Sequence, residues 1–176
     1  FVVGHSTGGM LAARYALMFP AETQGLVLVN PIGLEDWKAL GVPAPTVDQW
    51  REREAALTAE KIRAYEQSTY YAGSWKPEYQ RWVDMLAGLA QGPGHATFAA
   101  VTARIDDMIF TQPVVYELPL LKVPTLLMIG AKDTTAIGKD FAPKEVQAKL
   151  GHYAELGPRT AAAIPGAKLV LFPEAG

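Results

Sequence analysis

The chain has 176 residues, 49% of them hydrophobic, which suits one modest domain or one domain with an inserted subdomain. Its formal net charge of −2 gives no reason to expect nucleic acid or an anionic membrane as a partner, and no apolar run approaches membrane-spanning length. The absence of cysteine excludes disulfides and thiolate metal sites, and the three histidines, His5, His95 and His152, are too far apart in sequence to predict a metal cluster.

The first residues combine a strand, a glycine-flanked serine and the start of a helix. Phe1-Val2-Val3 runs into the Gly-x-Ser-x-Gly motif centred on Ser6, and a helix is predicted over residues 10–19, ended by Pro20. A serine on a sharp strand-to-helix turn is typical of a nucleophile elbow. The motif therefore predicts Ser6 as a nucleophile and the Thr7 N–H as an oxyanion donor. A phosphate-binding turn is disfavoured, because neither Gly-Lys-Ser/Thr nor Gly-x-Gly-x-x-Gly follows.

Further along the chain, continuous apolar runs predict a parallel sheet. Strands are expected near residues 1–3, 25–30, 124–130 and 168–173. Runs that are apolar throughout, rather than alternating, indicate strands buried on both faces of a mostly parallel sheet, as in α/β proteins. Between the last two strands lies a segment rich in lysine, glutamate and proline, and a short alanine-rich helix is expected at residues 159–164.

Residues 33–118 contain no comparable strand signal and are predicted to form a helical cap inserted between residues 1–32 and 119–176. Helices are expected at 47–57, 59–71, 77–91 and 95–110, separated by Gly and Pro. The helical spacing predicts that the last two helices turn these apolar side chains inward: Tyr79, Trp82, Val83, Leu86, Leu89, Phe98, Val101, Ile105 and Met108. Trp82 and Phe98 are expected in the cap's own core, whereas Tyr70, Tyr71 and Trp75 are candidates to line a substrate pocket.

Asp133 follows the predicted strand 124–130, at the edge of the sheet where open α/β proteins place their ligands. Asp140 is the nearest competitor, but it lies too far into the following segment. Together, Gly4-His5-Ser6-Thr7-Gly8-Gly9, Gly130-Ala131-Lys132-Asp133 and Phe172-Pro173-Glu174-Ala175-Gly176 resemble the α/β-hydrolase superfamily, specifically its capped serine esterases. The resemblance covers nearly the whole chain, and implies an α/β-hydrolase fold from the nucleophile strand onward. It also implies Asp133 as the triad acid and no cofactor or metal.

In that family the catalytic histidine follows the last strand, and the resemblance places it beyond Gly176. His5 is expected to point away from Ser6 across the strand, which leaves it only as a candidate substrate contact. His95 and His152 are expected to be ordinary surface or packing residues. The second oxyanion donor and the strands that would cover the apolar edge at Phe1-Val2-Val3 are expected outside this sequence or from a partner chain. Residues 1–176 alone are therefore expected to be inactive.

The resemblance implies hydrolysis of a small to medium carboxylic ester through an acyl-enzyme on Ser6. An aspartate nucleophile is excluded, because position 6 is serine. Hydrolysis of carbon–carbon bonds, acyl transfer and perhydrolysis use similar triads and remain alternatives, as does a non-catalytic ligand receptor of the same fold. The absence of cysteine favours a cytoplasmic location.

Overall fold

The sheet has four strands in the spatial order β1-β2-β3-β4, and all of its neighbouring strands are parallel. The computed structural model describes residues 1–176. The strands are β1 (Val2–His5), β2 (Leu26–Val29), β3 (Thr125–Gly130) and β4 (Lys168–Phe172). Each of the predicted strands is present, and their shared direction brings all the carboxyl ends to one edge of the sheet.

Helix α1 (Thr7–Met18) packs against β1 and β2 through small side chains. Ala12, Ala13 and Ala16 are buried there together with Met10. Alanines allow the helix to lie close to the sheet, so the first strand and the first helix are held at a fixed angle. On the other side of β1 no strand pairs with it, and Phe1 is 87% exposed.

Gly4 is required because the start of α1 passes directly over it. A Cβ at position 4 would overlap the Gly8 carbonyl oxygen and lie 2.5 Å from the Gly8 carbonyl carbon, both backbone atoms. We expect Gly4→Ala to lower the free energy of unfolding by roughly 1–3 kcal/mol, since the backbone must move to admit the methyl group. Gly8→Ala is the matched control, because a Cβ there meets nothing within 4 Å. Urea denaturation of both variants checks this; equal stability of the two would contradict it.

Residues 33–118 contain helices and no β-strand, as expected. The helices are α2 (Val47–Ala55), α3 (Ala59–Thr69), α4 (Gln80–Gln91) and α5 (His95–Thr111). A capping box between Thr46 and Gln49 starts α2, and the Thr58 hydroxyl caps α3. Helix α2 packs extensively on α5, and α3 packs on α4. None of the helices in the chain is long and apolar enough to cross a bilayer.

The inward faces of α4 and α5 differ from the predicted ones. Trp82 is 42% exposed and Leu89 is 55% exposed, while Val101 and Ile105 also lie on the surface. Val83 is fully buried as predicted and Phe98 packs against its cluster. Small residues are buried in place of the exposed ones, among them Ala90, Ala99 and Ala103. The large buried side chain opposite these alanines is Trp50 of α2, which packs edge-on against Phe110 and Phe141. A large indole opposite α5 is accommodated by turning the alanines of that helix inward.

Two further helices follow β3: α6 (Lys144–Gln147) and α7 (Tyr153–Ala163). Helix α7 begins six residues earlier than the predicted helix at 159–164, despite Pro158 in its interior. Proline removes one helical hydrogen bond there. Burial of Tyr153, Leu156 and Thr160 against the rest of the molecule outweighs that loss, and the Tyr153 hydroxyl donates to the Pro31 carbonyl at 3.1 Å.

Candidate active site

Ser6 lies at the junction between β1 and α1 in a strained backbone conformation. Its φ of 54° and ψ of −121° are outside the regions that residues with a side chain normally adopt. The surroundings hold it there: the Ser6 N–H donates to the Val29 carbonyl at 3.1 Å, and the Ser6 carbonyl accepts from Gly9 and Ile32. Strain that the neighbouring hydrogen bonds maintain is common at functional residues.

The Thr7 N–H belongs to the first turn of α1, next to Ser6. The first four N–H groups of a helix have no acceptor within it, and here the Ser6 side chain makes no capping hydrogen bond. The positive end of the helix dipole lies at the same point. Negative charge that develops beside Ser6 would therefore be stabilised by this helix end.

Asp133 is buried, with 5% of its surface exposed, and both of its carboxylate oxygens accept hydrogen bonds. Oδ1 accepts from the Thr135 N–H at 2.7 Å and from the Thr135 hydroxyl at 2.6 Å. Oδ2 accepts from the Asn30 side-chain amide at 2.8 Å. Asn30 in turn accepts from the Gly130 N–H at 2.7 Å, so the carboxylate is tied to the ends of β2 and β3.

Ser6 and Asp133 lie at the same edge of the sheet. His5, at the end of β1, is in register with Val29, which is in register with Met128 of β3. Asn30 is the next residue on β2, and it joins the strand beside Ser6 to the loop that carries Asp133. Asp140 lies elsewhere: its side chain is 58% exposed and pairs with Arg53.

Asn30 and Thr135 were not identified from the sequence. Asn30 adopts a φ of 36°, which asparagine tolerates better than most residues. Its position directly after an apolar strand and before a proline was the available signal. The partner of its side chain lies 103 residues away, and a single sequence gives no indication of such a contact.

None of the histidines makes a hydrogen bond to Ser6 or Asp133. The His152 ring contacts the Ala148 carbonyl at 2.8 Å and the His95 ring contacts the Ala90 carbonyl, so both are engaged with their own segments. His5 is exposed on the edge strand. No group of three His, Asp or Glu side chains is arranged to hold a metal ion.

The last residues of the chain lie against the loop that carries Asp133. The Ala131 N–H donates to the Phe172 carbonyl at 3.0 Å, and the Lys132 N–H donates to the Ala175 carbonyl at 2.8 Å. Gly176 packs directly on the backbone of Tyr70, because a Cβ there would lie 2.8 Å from the Tyr70 carbonyl carbon. The segment after β4 thus passes between the Asp133 loop and the C-terminal end of α3.

The aromatic residues predicted to bind substrate lie in two different places in the structure. Tyr70 lines a cavity, with its ring at a right angle to Tyr65 and 5.5 Å from it, and burial raises the pKa of its hydroxyl. Tyr71 instead stacks on Tyr79 at 3.8 Å, and Trp75 packs edge-on against both rings. Tyr71, Trp75 and His5 do not line the cavity, and neither do Ser6 and Asp133.

The cavity has a volume of about 720 Å³ and lies between α2, α3 and the loop after Asp133. Its polar wall contains Arg53, which donates to Glu54 at 2.8 Å and to Asp140 at 3.0 Å. Burial first, and the Glu54 carboxylate second, raise the pKa of Asp106 to about 7, although Arg53 opposes them. Asp106 is buried, and the nearby Glu54 carboxylate favours the protonated form of its carboxyl group.

We expect this pair to make stability depend on pH. The pKa of Asp106 is raised from 3.8 to about 7 on folding, so its stabilising contribution is complete below the unfolded value and is lost as the pH rises through 7. Asp106→Asn should remove the effect. Relative to the wild type, the variant should gain roughly 2–3 kcal/mol in free energy of unfolding between pH 5 and pH 8.

Urea denaturation at the two pH values measures this difference. Asp107→Asn on the same helix is the control, because Asp107 lies outside the Arg53 ion pairs and should leave the pH dependence of the wild type unchanged. A pH-independent difference between the Asp106 variant and the wild type would contradict the raised pKa of Asp106.

The fold and the sequence both match known hydrolases. One match is the crystal structure of a probable hydrolytic enzyme from Pseudomonas aeruginosa PAO1, with 60% sequence identity and a TM-score of 0.96. The match covers 99% of this chain and 56% of that enzyme's chain. An esterase from Exiguobacterium antarcticum has 23% identity and a TM-score of 0.63, over 99% of this chain and 58% of its own. An enol-lactonase from Burkholderia xenovorans LB400 has 19% identity and a TM-score of 0.55, over 98% of this chain and 56% of its own.

The esterase and the lactonase, at these low identities, show the fold alone. The chain spans 56–58% of the length of the three structures. No curated protein matches it. The sequence model of the alpha/beta hydrolase family matches residues 1–176. With its parallel sheet and the helices around it, the chain has the alpha/beta hydrolase fold and belongs to the alpha/beta hydrolase family.

Proposed function

We propose that this chain carries the nucleophile and the acid of a serine hydrolase that cleaves a carboxylic ester through an acyl-enzyme. The observation that carries the proposal is Ser6, strained at a strand–helix junction and joined by Asn30 to the loop of the buried Asp133. In this reaction Ser6 Oγ attacks the ester carbonyl and a histidine takes its proton. The Thr7 N–H donates to the oxyanion, and the histidine returns the proton to the departing alcohol. Water then attacks the acyl-enzyme, which releases the acid and restores the Ser6 hydroxyl.

The proposed histidine lies outside residues 1–176. The segment that ends at Gly176 is held by backbone hydrogen bonds against the Asp133 loop, which supports a position for the next residues beside that carboxylate. None of the histidines within the chain hydrogen-bonds to either residue of the proposed pair. Because the chain spans only part of its relatives' length, the activity is proposed for the intact protein.

Asp133 is suited to orient an imidazole. A carboxylate offers about four acceptor positions, and Oδ1 already uses two of them for Thr135. Oδ2 accepts only the Asn30 amide, which leaves it free to accept an imidazole N–H. The three donors fix the carboxylate in one orientation, and it would hold the histidine in the tautomer that accepts the serine proton.

Ester hydrolysis is proposed over the other reactions of similar triads because the Gly-x-Ser-x-Gly motif around Ser6 resembles that of serine esterases. Carbon–carbon bond hydrolysis, acyl transfer and perhydrolysis would use the same Ser6 and differ in what accepts the acyl group. A non-catalytic receptor would bind a ligand in the cavity beside Tyr70 without turnover.

An acyl-enzyme in the intact protein can be tested by measuring how its acyl group is divided between water and added methanol. Phenyl butyrate and p-nitrophenyl butyrate should give the same ratio of methyl butyrate to butyrate, because both esters form the same butyryl-enzyme. A ratio that depends on the leaving group would show direct attack by water. Binding of the esters without turnover would instead favour a receptor.

A further inference from the structure

Asn30 connects the strand beside Ser6 to the loop of the proposed triad acid. It directly follows β2, and 8% of its surface is exposed. Its side-chain N–H₂ group donates to Asp133 Oδ2 at 2.8 Å, and its side-chain oxygen accepts from the Gly130 N–H at 2.7 Å. Because a backbone N–H can only donate, the amide oxygen must face Gly130 and the N–H₂ group must face the carboxylate. The fold therefore fixes the direction of this contact.

The segment around Asn30 also holds the backbone of Ser6. The Val29 carbonyl accepts from the Ser6 N–H at 3.1 Å, and the Ile32 N–H donates to the Ser6 carbonyl at 3.2 Å. Asn30 lies between these two contacts in the chain. One short segment thus contacts the nucleophile through its backbone and Asp133 through a side chain, and so sets the position of the acid relative to the serine.

Asparagine meets three requirements at position 30. The backbone has a φ of 36°, which asparagine tolerates better than most residues. The side chain must also accept from Gly130 and donate to Asp133 at the same time. Aspartate would accept from Gly130 but would turn its other oxygen, which lacks the amide's donor, toward Asp133. A tie between β2 and β3 needs only the acceptor, so the donor indicates a role at the acid.

We propose that Asn30 is a positioning residue for the reaction, whose side-chain amide holds Asp133 Oδ2 where that oxygen accepts the N–H of the catalytic histidine. This inference rests on the proposed function. Asn30 acts through Asp133 alone, because the carboxylate orients the imidazole and the imidazole must reach Ser6. A displacement of about 1 Å in such an arrangement can cost about 100-fold in rate.

A double-mutant cycle in the intact protein tests whether Asn30 acts through Asp133. With p-nitrophenyl butyrate, Asn30→Ala should lower kcat by about 10–100-fold and change KM little, because the ester-binding residues are untouched. In the Asp133→Asn background the same substitution should lower kcat by less than about threefold, since no carboxylate remains to be positioned. A general disturbance of the sheet would instead give the full 10–100-fold loss in both backgrounds.

Asn30→Asp separates the donor from the structural tie, and tests the inference even if the alanine variant unfolds. This variant keeps an acceptor for the Gly130 N–H, but two carboxylates in contact repel each other or share a proton, and either outcome disturbs Oδ2. Its kcat should fall by about tenfold or more. Thr125→Val is the control: it removes a buried hydrogen bond to the Val123 carbonyl at the opposite end of β3, so kcat should stay at the wild-type value.

The outcomes distinguish this inference from the proposed function. An active wild type whose Asn30→Asp variant keeps more than about half of the wild-type kcat overturns the inference and leaves the hydrolase standing. Losses from Asn30→Ala and Asp133→Asn that multiply in the double variant overturn it as well. A wild type that neither hydrolyses esters nor reacts with a fluorophosphonate contradicts the proposed function, and the inference fails with it.

Discussion

Replacing Ser6 with alanine in the intact protein is expected to lower kcat for a p-nitrophenyl ester by about 10⁴-fold or more. Removal of the nucleophile eliminates the acyl-enzyme route, and only substrate binding and the oxyanion donors remain, which explains comparable losses in other serine hydrolases. The measurement is steady-state kinetics with p-nitrophenyl butyrate. KM should change far less than kcat, because the substitution removes only the serine hydroxyl.

Ser74→Ala is the control for this experiment. Ser74 lies exposed in the loop after α3 and its hydroxyl takes no part in the site, so its kinetics should match those of the wild type. Thermal denaturation of the Ser6 variant verifies that the loss is not caused by unfolding. A fully folded Ser6→Ala protein with more than a tenth of the wild-type kcat would contradict the role of Ser6.

Replacing Asp133 with asparagine is expected to lower kcat by about 10³–10⁴-fold, because an amide in place of the carboxylate favours the wrong histidine tautomer. Asparagine also places an N–H₂ group against the donors of Asn30 or Thr135, so some loss of stability accompanies the kinetic effect. Kinetics should be measured well below the midpoint of thermal unfolding. Since the proposed role of Asp133 is to orient the histidine, the pH dependence of kcat/KM should change as well.

Asp140→Asn is the comparison that distinguishes the two candidate acids. Asp140 pairs with Arg53 at the rim of the cavity, on a side chain that is 58% exposed. Its replacement should reduce kcat by less than about tenfold, in line with a weak, partly exposed ion pair. A greater loss for Asp140→Asn than for Asp133→Asn would reverse the assignment.

The sheet and the Ser6 junction could be predicted from the sequence because their signals are local. Each strand is a continuous apolar run, and the Gly4 and Gly8 positions flank the serine within one turn of chain. Asp133 could be placed because parallel strands bring their carboxyl ends to one edge. In each case residues close together in sequence carry the whole pattern.

The cavity could not be predicted because its polar wall comes from separate segments. Arg53 and Glu54 lie on α2, Asp106 on α5 and Asp140 in the loop after β3. The predicted inward faces of α4 and α5 were wrong in part, for a related reason. Helical spacing identifies the residues that share a face, but Trp50 from a different helix decides which face of α5 is buried.

The surroundings of Glu66 could not be predicted from the sequence either. In sequence it is one polar residue among several on α3, with nothing to distinguish it from Glu60 at the start of that helix. Only the folded molecule shows that Oε2 is buried and without a partner. The burial of this polar atom depends on contacts between helices, which the spacing of residues along one helix does not show.

Labelling of the intact protein with a fluorophosphonate tests the central claim most directly, because these reagents phosphonylate only an activated serine. Intact mass spectrometry should show one phosphonyl group per molecule, and peptide mapping should locate it on Ser6. Asp133→Asn should slow the labelling, and Ser6→Ala should prevent it. A protein that remains unlabelled, or that is labelled on another serine with Ser6 unmodified, would contradict the account.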